Sequence, residues 1–221
     1  MADVEVGGGL VLREDELGVA LVGDGMELRG DFTTLLPRLR QGVLQRELLV
    51  RAAKVKGVEN PTAVDATAGL GEDALLLAAA GFTVTLCEHD PVIAALLRDA
   101  LRRARQDDRL REVASRMRLV EGDSIQLLDS LEELPDVVYL DPMFPERRKA
   151  AATNKKLQLF QRLERPCADE EALVRAAIAA RPRKVVVKRP LKGPNLGGVK
   201  PSSSLVGKVV RYDVIVPPRE G

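Results

Sequence analysis

The stretch PTAVDATAGLGEDALLLAAAGFTVTLCEHDP, residues 61–91, decides how this chain folds. Ala63-Val64-Asp65 is a short apolar run closed by an acid, and it reads as a strand. Gly71 to Ala80 is rich in Ala and Leu and reads as a helix. Phe82 to Cys87 reads as a second strand. Pro91 to Arg105 reads as a helix that opens on proline, which suits a first turn because the N–H it lacks has no helical partner there. Strands alternating with helices at this spacing indicate a parallel sheet joined by crossover helices.

The alternation continues downstream. Met117 to Glu121 reads as a strand, Ser124 to Leu131 as a short helix, and Val137 to Leu140 as a strand that runs into Asp-Pro. Residues 154–180 are expected to hold one or two helices, broken near Arg165-Pro166, and Lys184 to Lys188 a Val-rich strand. Ser204 to Val216 reads as a strand pair around Gly207. Short, wholly apolar strands belong to a sheet covered on both faces. The expected fold class is therefore α/β, a mostly parallel doubly wound sheet with an antiparallel edge. Upstream, residues 1–30 read as short strands with a hairpin at Gly23-Asp24-Gly25, and residues 35–56 as a basic helix stopped by Gly57 and Asn60-Pro61. The expected organisation is an N-terminal strand-and-helix extension, residues 1–60, and a main domain, residues 61–221. The Gly193–Ser204 loop, rich in Gly, Pro and Ser, is expected to be mobile.

Composition narrows the chemistry. The chain has 221 residues, 45% hydrophobic and 30% charged, with no Trp and 3% aromatics. That suits one large globular domain with a core of Leu, Val, Ile and Ala. Two cysteines, Cys87 and Cys167, make neither a disulfide framework nor a four-ligand zinc site, so no metal is expected. A single histidine, His89, excludes mechanisms that need two. The longest apolar stretch, Ala74 to Val84, is shorter than the ~20 residues of a membrane span, and MADVEVGGG lacks a basic region followed by an apolar one. The expectation is a soluble cytoplasmic protein without a membrane partner. The net charge of +1 hides an asymmetry: 26 acidic against 16 basic residues up to Asp141, then 7 against 18. The basic third fits a polyanion such as nucleic acid, or simply an Arg-rich solvated surface.

Four strand ends carry candidate chemistry. After the first comes Asp65-Ala-Thr-Ala-Gly69-Leu-Gly71-Glu72-Asp73, where glycines let the backbone approach a ligand. The acids at the helix start repel a pyrophosphate and suit a cationic or zwitterionic ligand; the glycines alone also fit a structural turn. After the second strand, Glu88 is placed to accept from ribose hydroxyls. His89 beside it reads first as an exposed loop residue that lines an adenine pocket at most. After the third strand, Asp123 and Ser124 can meet an adenine amine, cap a helix, or do both.

The fourth end, Val137-Val-Tyr-Leu-Asp141-Pro142-Met143-Phe144-Pro145, is the most specific. It resembles the [DNS]-P-P-[YFW] loop of amino-methylating enzymes, with Met143 in place of the second proline. An exocyclic amine has its lone pair delocalised into the ring. A carboxylate at Asp141 and the carbonyl of Pro142 can accept its two N–H bonds, while Phe144 stacks on the base. Flanking prolines keep such a loop stiff, which preserves attack geometry. A proline-rich loop with a buried Phe has the same sequence. Taken in order, the four ends resemble class I S-adenosylmethionine-dependent methyltransferases.

The match is closer than that superfamily. Asp65-Ala-Thr-Ala-Gly-Leu-Gly71, Asp141-Pro-Met-Phe-Pro145 and Val185-Val-Val-Lys-Arg-Pro190 together resemble the RsmJ family, as does Arg211-Tyr-Asp-Val-Ile215, over about residues 61–216. The chain is expected to start later than the members of that family. The resemblance implies a Rossmann-like class I methyltransferase fold and methylation of the exocyclic N2 of a guanine in 16S ribosomal RNA. S-adenosyl-L-methionine is the implied cofactor, S-adenosyl-L-homocysteine its product, and 16S ribosomal RNA or the small ribosomal subunit the partner. Cofactor contacts fall on Glu72, Asp73, Glu88, His89, Asp123, Ser124 and Asp141, to which the residue reading adds Asp65, Gly69 and Gly71. Asp141, Pro142 and Phe144 are the catalytic candidates.

The expected mechanism is direct in-line transfer to the guanine N2, without a covalent enzyme intermediate, on an unpaired or flipped-out base. Arg147, Arg148, Lys149, Lys155, Lys156, Lys188 and Arg189 are the candidates for phosphate contacts, with salt-sensitive RNA binding as the corollary. Lys188 and Arg189 equally fit plain charge at a sheet edge. Competing readings are an amino-methyltransferase acting on DNA or protein, a non-catalytic cofactor-binding factor, and an NAD-dependent oxidoreductase. The incomplete glycine fingerprint and the absence of a second domain weigh against the last.

Overall fold

The computed structural model describes residues 3–142, 159, 163 and 169–218. Two sheets are present among them. The strands β1 (Val4–Gly7), β2 (Leu10–Asp15), β3 (Gly18–Gly23) and β4 (Met26–Leu28) pair in sequence order as an antiparallel meander. The second sheet holds β5 (Thr62–Asp65), β6 (Thr83–Glu88), β7 (Met117–Glu121), β8 (Val137–Leu140), β9 (Lys184–Pro190), β10 (Ser203–Val206) and β11 (Val210–Ile215). Its order is β10-β11-β9-β8-β5-β6-β7. The pairs among β5 to β9 are parallel, and β11 runs antiparallel to both β9 and β10. The expected parallel sheet with an antiparallel edge is thus present, and N-terminally the expected hairpin is part of a full meander.

Helices fill the crossovers: α4 (Glu72–Ala79), α5 (Pro91–Ala104), α6 (Arg111–Ser115), α7 (Ser124–Asp129) and α8 (Glu170–Ala179), preceded by α1 (Leu36–Leu39), α2 (Gln41–Leu44) and α3 (Leu48–Ala53). Side chains alternate across the sheet with the period of a strand. Ala63, Tyr139, Val186, Tyr212 and Val214 face the layer of α3, α4 and α5. Val64, Val138, Leu140, Val185 and Val187 face α7 and α8. Both faces are buried, which is why the Val137-Val-Tyr-Leu140 run is wholly apolar.

From β5 the chain builds outward to β6 and β7, then returns across β5 to place β8 and β9 on the other side. The order therefore reverses between β5 and β8. Open α/β sheets bind ligands in the crevice outside the strand carboxyl ends at such a reversal.

The meander is joined to the main sheet through α5. Leu97, Ala100 and Leu101 face the main core, whereas Ile93 and Leu96 pack with Leu10, Leu21 and Leu28. Asp99, 5% exposed, accepts the Val19 amide at 3.0 Å and Arg103 Nε at 2.8 Å. Gly18 lies so close to the Asp99 carboxylate that a β-carbon has no room there.

Two expectations are corrected. Residues 35–56 form three short helices, not one, because the backbone is extended at Arg40 (ψ 132) and again at Glu47 (ψ 128). Glu47 then reaches back to Arg38, with Nε and Nη2 donating at 2.8 and 2.9 Å. The 193–204 loop is tied down: Leu196 is buried against α8, Arg189 Nε donates to the Pro194 carbonyl at 2.8 Å, and Arg211 Nη1 to the Gly193 carbonyl at 2.9 Å. Of the stretch expected to hold broken helices, α8 is described; the break at Arg165-Pro166 lies outside the described residues.

Candidate active site

The carboxyl ends of β5, β6, β7 and β8 lie side by side, and each carries an acid. Between β5 and α4, Gly69 and Gly71 adopt left-handed φ values of 53° and 76°. A β-carbon on Gly71 comes within 2.7 Å of Leu97 Cδ1 and 3.2 Å of Phe32 Cζ, so the turn requires glycine both for φ and for space. Its tightness lets α4 begin at once with Glu72 and Asp73, facing the crevice.

Glu88 closes β6 and is 6% exposed. One carboxylate oxygen accepts the Gly69 amide at 2.9 Å and the other the Asp90 amide at 2.8 Å. The acid thereby clamps the glycine turn to the second strand end. Each oxygen keeps acceptor capacity for a hydroxyl. Burial pushes its pKa up, against the pull of the two amides. His89 points outward, 62% exposed, with Nδ1 3.5 Å from Glu88 Oε1. At the end of β7, Asp123 caps α7 by accepting the Ile125 and Gln126 amides at 2.9 and 3.0 Å, with Ser124 as the first helical residue. This loop is stitched to its neighbour, since the Gly122 amide donates to the Glu88 carbonyl at 2.9 Å. Cys87, buried beneath, donates to the Gly122 carbonyl, and burial holds its thiol at a pKa of about 12, far from a thiolate nucleophile.

The densest charge cluster sits at the reversal. The register pairs Asp65 with Tyr139 and Tyr139 with Val186, so Asp65, Asp141 and Lys188 share the α4 face. Lys188 Nζ donates to Asp73 Oδ2 at 2.7 Å and lies 2.9 Å from Asp141 Oδ2. Tyr139 Oη donates to the same Asp73 oxygen at 2.6 Å. The Asp141 amide donates to Thr67 Oγ1 at 2.6 Å, tying the end of β8 to the glycine turn. Although burial opposes ionisation of Asp73, the adjacent Lys188 charge and its hydrogen bonds hold that carboxyl below the ordinary range. Burial likewise disfavours the Lys188 ammonium, yet Asp73 and Asp141 together keep its pKa raised. Asp65, 1% exposed, is different. Desolvation lifts it to about 8, so it is a neutral acid at pH 7, accepting the Thr67 amide at 3.1 Å.

The structure therefore brings together Asp65, Gly69, Gly71, Glu72, Asp73, Glu88 and Asp141, with Pro142 buried next to Asp141 and the Asp123-Ser124 loop and His89 along one side. Phe144, Arg147, Arg148, Lys149, Lys155 and Lys156 lie outside the described residues. The expectation for Lys188 and Arg189 as surface phosphate contacts is corrected. Lys188 is a partner of the site acids, and Arg189, 1% exposed, is turned to the opposite face, with Nη1 3.8 Å from Glu170. Strand alternation from buried Val186 was the signal that places Lys188 inside. The acid-lined crevice with a glycine turn suits a ligand with a cationic centre and ribose hydroxyls, and it repels a bare pyrophosphate. Among the described residues no cluster of side chains is able to hold a metal ion.

Comparison with known proteins agrees with this chemistry. A family model described as "Putative SAM-dependent methyltransferase" matches residues 5–217. The Ribosomal RNA small subunit methyltransferase J of Thioalkalivibrio sulfidiphilus is 43% identical, over 98% of this chain and 88% of its own. The protein of that name from Neisseria gonorrhoeae is 39% identical, over 96% and 86%. The crystal structure of a SAM-dependent methyltransferase from Neisseria gonorrhoeae superposes with a TM-score of 0.75 at 32% identity, covering 95% of this chain and 83% of that one.

Proposed function

The chain belongs to the S-adenosylmethionine-dependent methyltransferase family, in the branch whose members are called Ribosomal RNA small subunit methyltransferase J, and on that premise we propose that it methylates the exocyclic N2 of a guanine in 16S ribosomal RNA. The observation that carries this reading is Asp141 at the β8 carboxyl end, beside the order reversal, its amide pinned by Thr67 and its carboxylate paired with Lys188. An acid held rigidly there accepts an amine N–H without first reorganising.

In this reading, Glu88 accepts the ribose hydroxyls, Glu72 and Asp73 face the cationic end of the cofactor, and the Asp123-Ser124 loop and His89 border its base. When bound, S-adenosylmethionine supplies an electrophilic methyl group. Asp141 and the Pro142 carbonyl accept the two N–H bonds of the guanine amine and orient its nitrogen, and Phe144 stacks on the ring. Lys188 keeps the Asp141 carboxylate in place and balances Asp73, so the buried triad carries one net negative charge against a cationic ligand. Residues 61–221 carry this chemistry and residues 1–60 form the extension. The described residues hold no helix long and apolar enough to cross a membrane. The proposed partner is ribosomal RNA or the small subunit, and the proposed place of work the cytoplasm.

The test is transfer of labelled methyl from S-adenosylmethionine to RNA and to small subunits from cells lacking the protein, with Asp141→Ala alongside. N2-methylguanine in small-subunit RNA, lost with Asp141→Ala, is the expected result. Cofactor binding with label going only to DNA or protein, or nowhere, overturns it.

A further inference from the structure

Residues 36–56 carry six basic side chains and one acid, Glu47, and that acid is occupied by Arg38. Arg40, Arg46 and Lys208 are exposed, and among the described residues none has an ion-pair partner. Elsewhere on the surface exposed arginines mostly face carboxylates: Arg98 with Glu121 at 2.6 Å, Arg109 with Asp107 at 2.6 Å, Arg116 with Glu112 at 3.0 Å. Unpaired arginines gathered in one short segment mark a surface whose counter-charge comes from outside the molecule.

Their place in the fold makes the cluster specific. Phe32, just before α1, packs under the Gly71 turn, and the positive charge of Arg38 is felt at Glu72 and Asp73. Arg46 precedes Glu47, the partner of Arg38, and Leu48 follows it, touching Gly207 at the tip of the β10–β11 hairpin. That tip carries Lys208 and lies just past the Val210–Pro190 pair, at the same end of β9 as Lys188. Arg40, Arg46 and Lys208 thus edge the crevice on the side of α1 to α3 and the hairpin. The breaks at Arg40 and Glu47 give the segment its corner, which leaves Arg40 and Arg46 facing outward while Leu35 and Leu49 stay in the core.

We infer that Arg40, Arg46 and Lys208 form a docking rim for the sugar–phosphate backbone of the RNA whose base enters the crevice. This rests on the reading of the site as an RNA methyltransferase and adds to it the surface that holds the strand. Guanidinium groups with no carboxylate partner among the described residues offer bidentate donors to phosphate oxygens without breaking a described ion pair. The contacts set position on the RNA without reading sequence.

The experiment uses the full chain with Arg40→Gln, Arg46→Gln and Lys208→Gln combined, small-subunit RNA as substrate, and Arg118→Gln as control. Arg118 is also exposed and, among the described residues, without an ion-pair partner, but it sits on β7, at the opposite edge of the sheet. The triple variant is expected to bind S-adenosylmethionine like the wild type and to keep kcat within about twofold. Its KM for RNA rises about tenfold or more, and the slope of log KM against log salt falls by about 2, as for three lost single-strand phosphate contacts. The control leaves both unchanged. Unchanged KM and salt slope in a triple variant that still methylates RNA overturn the rim and leave the reading of the site standing. A wild type that binds cofactor yet transfers nothing to RNA overturns both.

Discussion

The Lys188 ammonium stands between two carboxylates from different elements, 2.7 Å from Asp73 at the start of α4 and 2.9 Å from Asp141 at the end of β8. Each of the three side chains is less than one-fifth exposed. Neither acid is comfortable there alone, because two like charges in a poorly solvated pocket repel and attract no water in compensation.

Replacing Lys188 with Met keeps an unbranched side chain, one atom shorter, and removes the charge. Both carboxylates then lose their shared partner. The expected loss of folding stability is about 3 kcal/mol, and kcat falls by about tenfold or more, with Lys188→Arg recovering part of both. Urea unfolding at pH 7 and methyl-transfer kinetics check it; a Met variant with wild-type turnover shows that the ammonium has no role in holding Asp141.

Asp65 gives the stability a pH dependence of known sign. Its carboxyl titrates at about 8 in the folded protein against 3.8 for the ordinary side chain. The folded state therefore binds the proton more tightly than the unfolded chain. The stabilisation is complete below the unfolded pKa and is lost as pH rises through the window from about 4 to about 8. Asp65→Asn, which keeps an acceptor for the Thr67 amide, is expected to flatten that decline. Denaturation curves at pH 5, 6.5 and 8 decide the matter, and a variant with the same slope as wild type refutes the assignment to Asp65.

Glu88 clamps the Gly69 turn and, in the proposed reading, receives the ribose, and a single substitution strikes both. Glu88→Gln leaves one oxygen to accept an amide but puts an NH2 where the second amide is received. A displaced Gly69 turn and a weaker ribose acceptor are both expected. Affinity for S-adenosylmethionine falls about tenfold or more by calorimetry, because a charged acceptor is lost and a buried amide is left without its partner.

Gly71→Ala tests the turn itself. With φ at 76° and Leu97 Cδ1 2.7 Å from the added carbon, both backbone and packing resist. A loss of about 2 kcal/mol in urea unfolding is expected, with weaker cofactor binding beyond it. A variant as stable as wild type places the turn in a looser conformation.

Much of the main sheet was legible because strand and helix periods differ so sharply. Val137 to Leu140 is the β8 that its apolar run announces, and Met117 to Glu121 is β7 to the residue. The acids at the strand ends were legible by position alone. Their partners were not. The Gly69–Glu88 clamp joins residues 19 apart and depends on the β5–β6 register, which no local pattern specifies. Lys188 and Arg189 read together as a charged strand end, and only alternation about the sheet separates them, one into the acid cluster and one towards α8. The breaks at Arg40 and Glu47 were hidden because both residue types sit comfortably in helices, and it is Leu35, Leu44 and Leu49 reaching the core that bends the segment.

The bond between the Val19 amide and the Asp99 carboxylate spans 80 positions along the chain. During synthesis the meander emerges before α5, with Leu10, Leu21 and Leu28 exposed, and the surface that covers them does not exist until that helix has been made. That sheet therefore completes its folding late, when Ile93, Leu96 and Asp99 arrive together on one helix. Until then its apolar face is open to misassociation. A deletion that trims the meander leaves the mirror-image problem, an α5 with an uncovered apolar face and a buried-type carboxylate facing water.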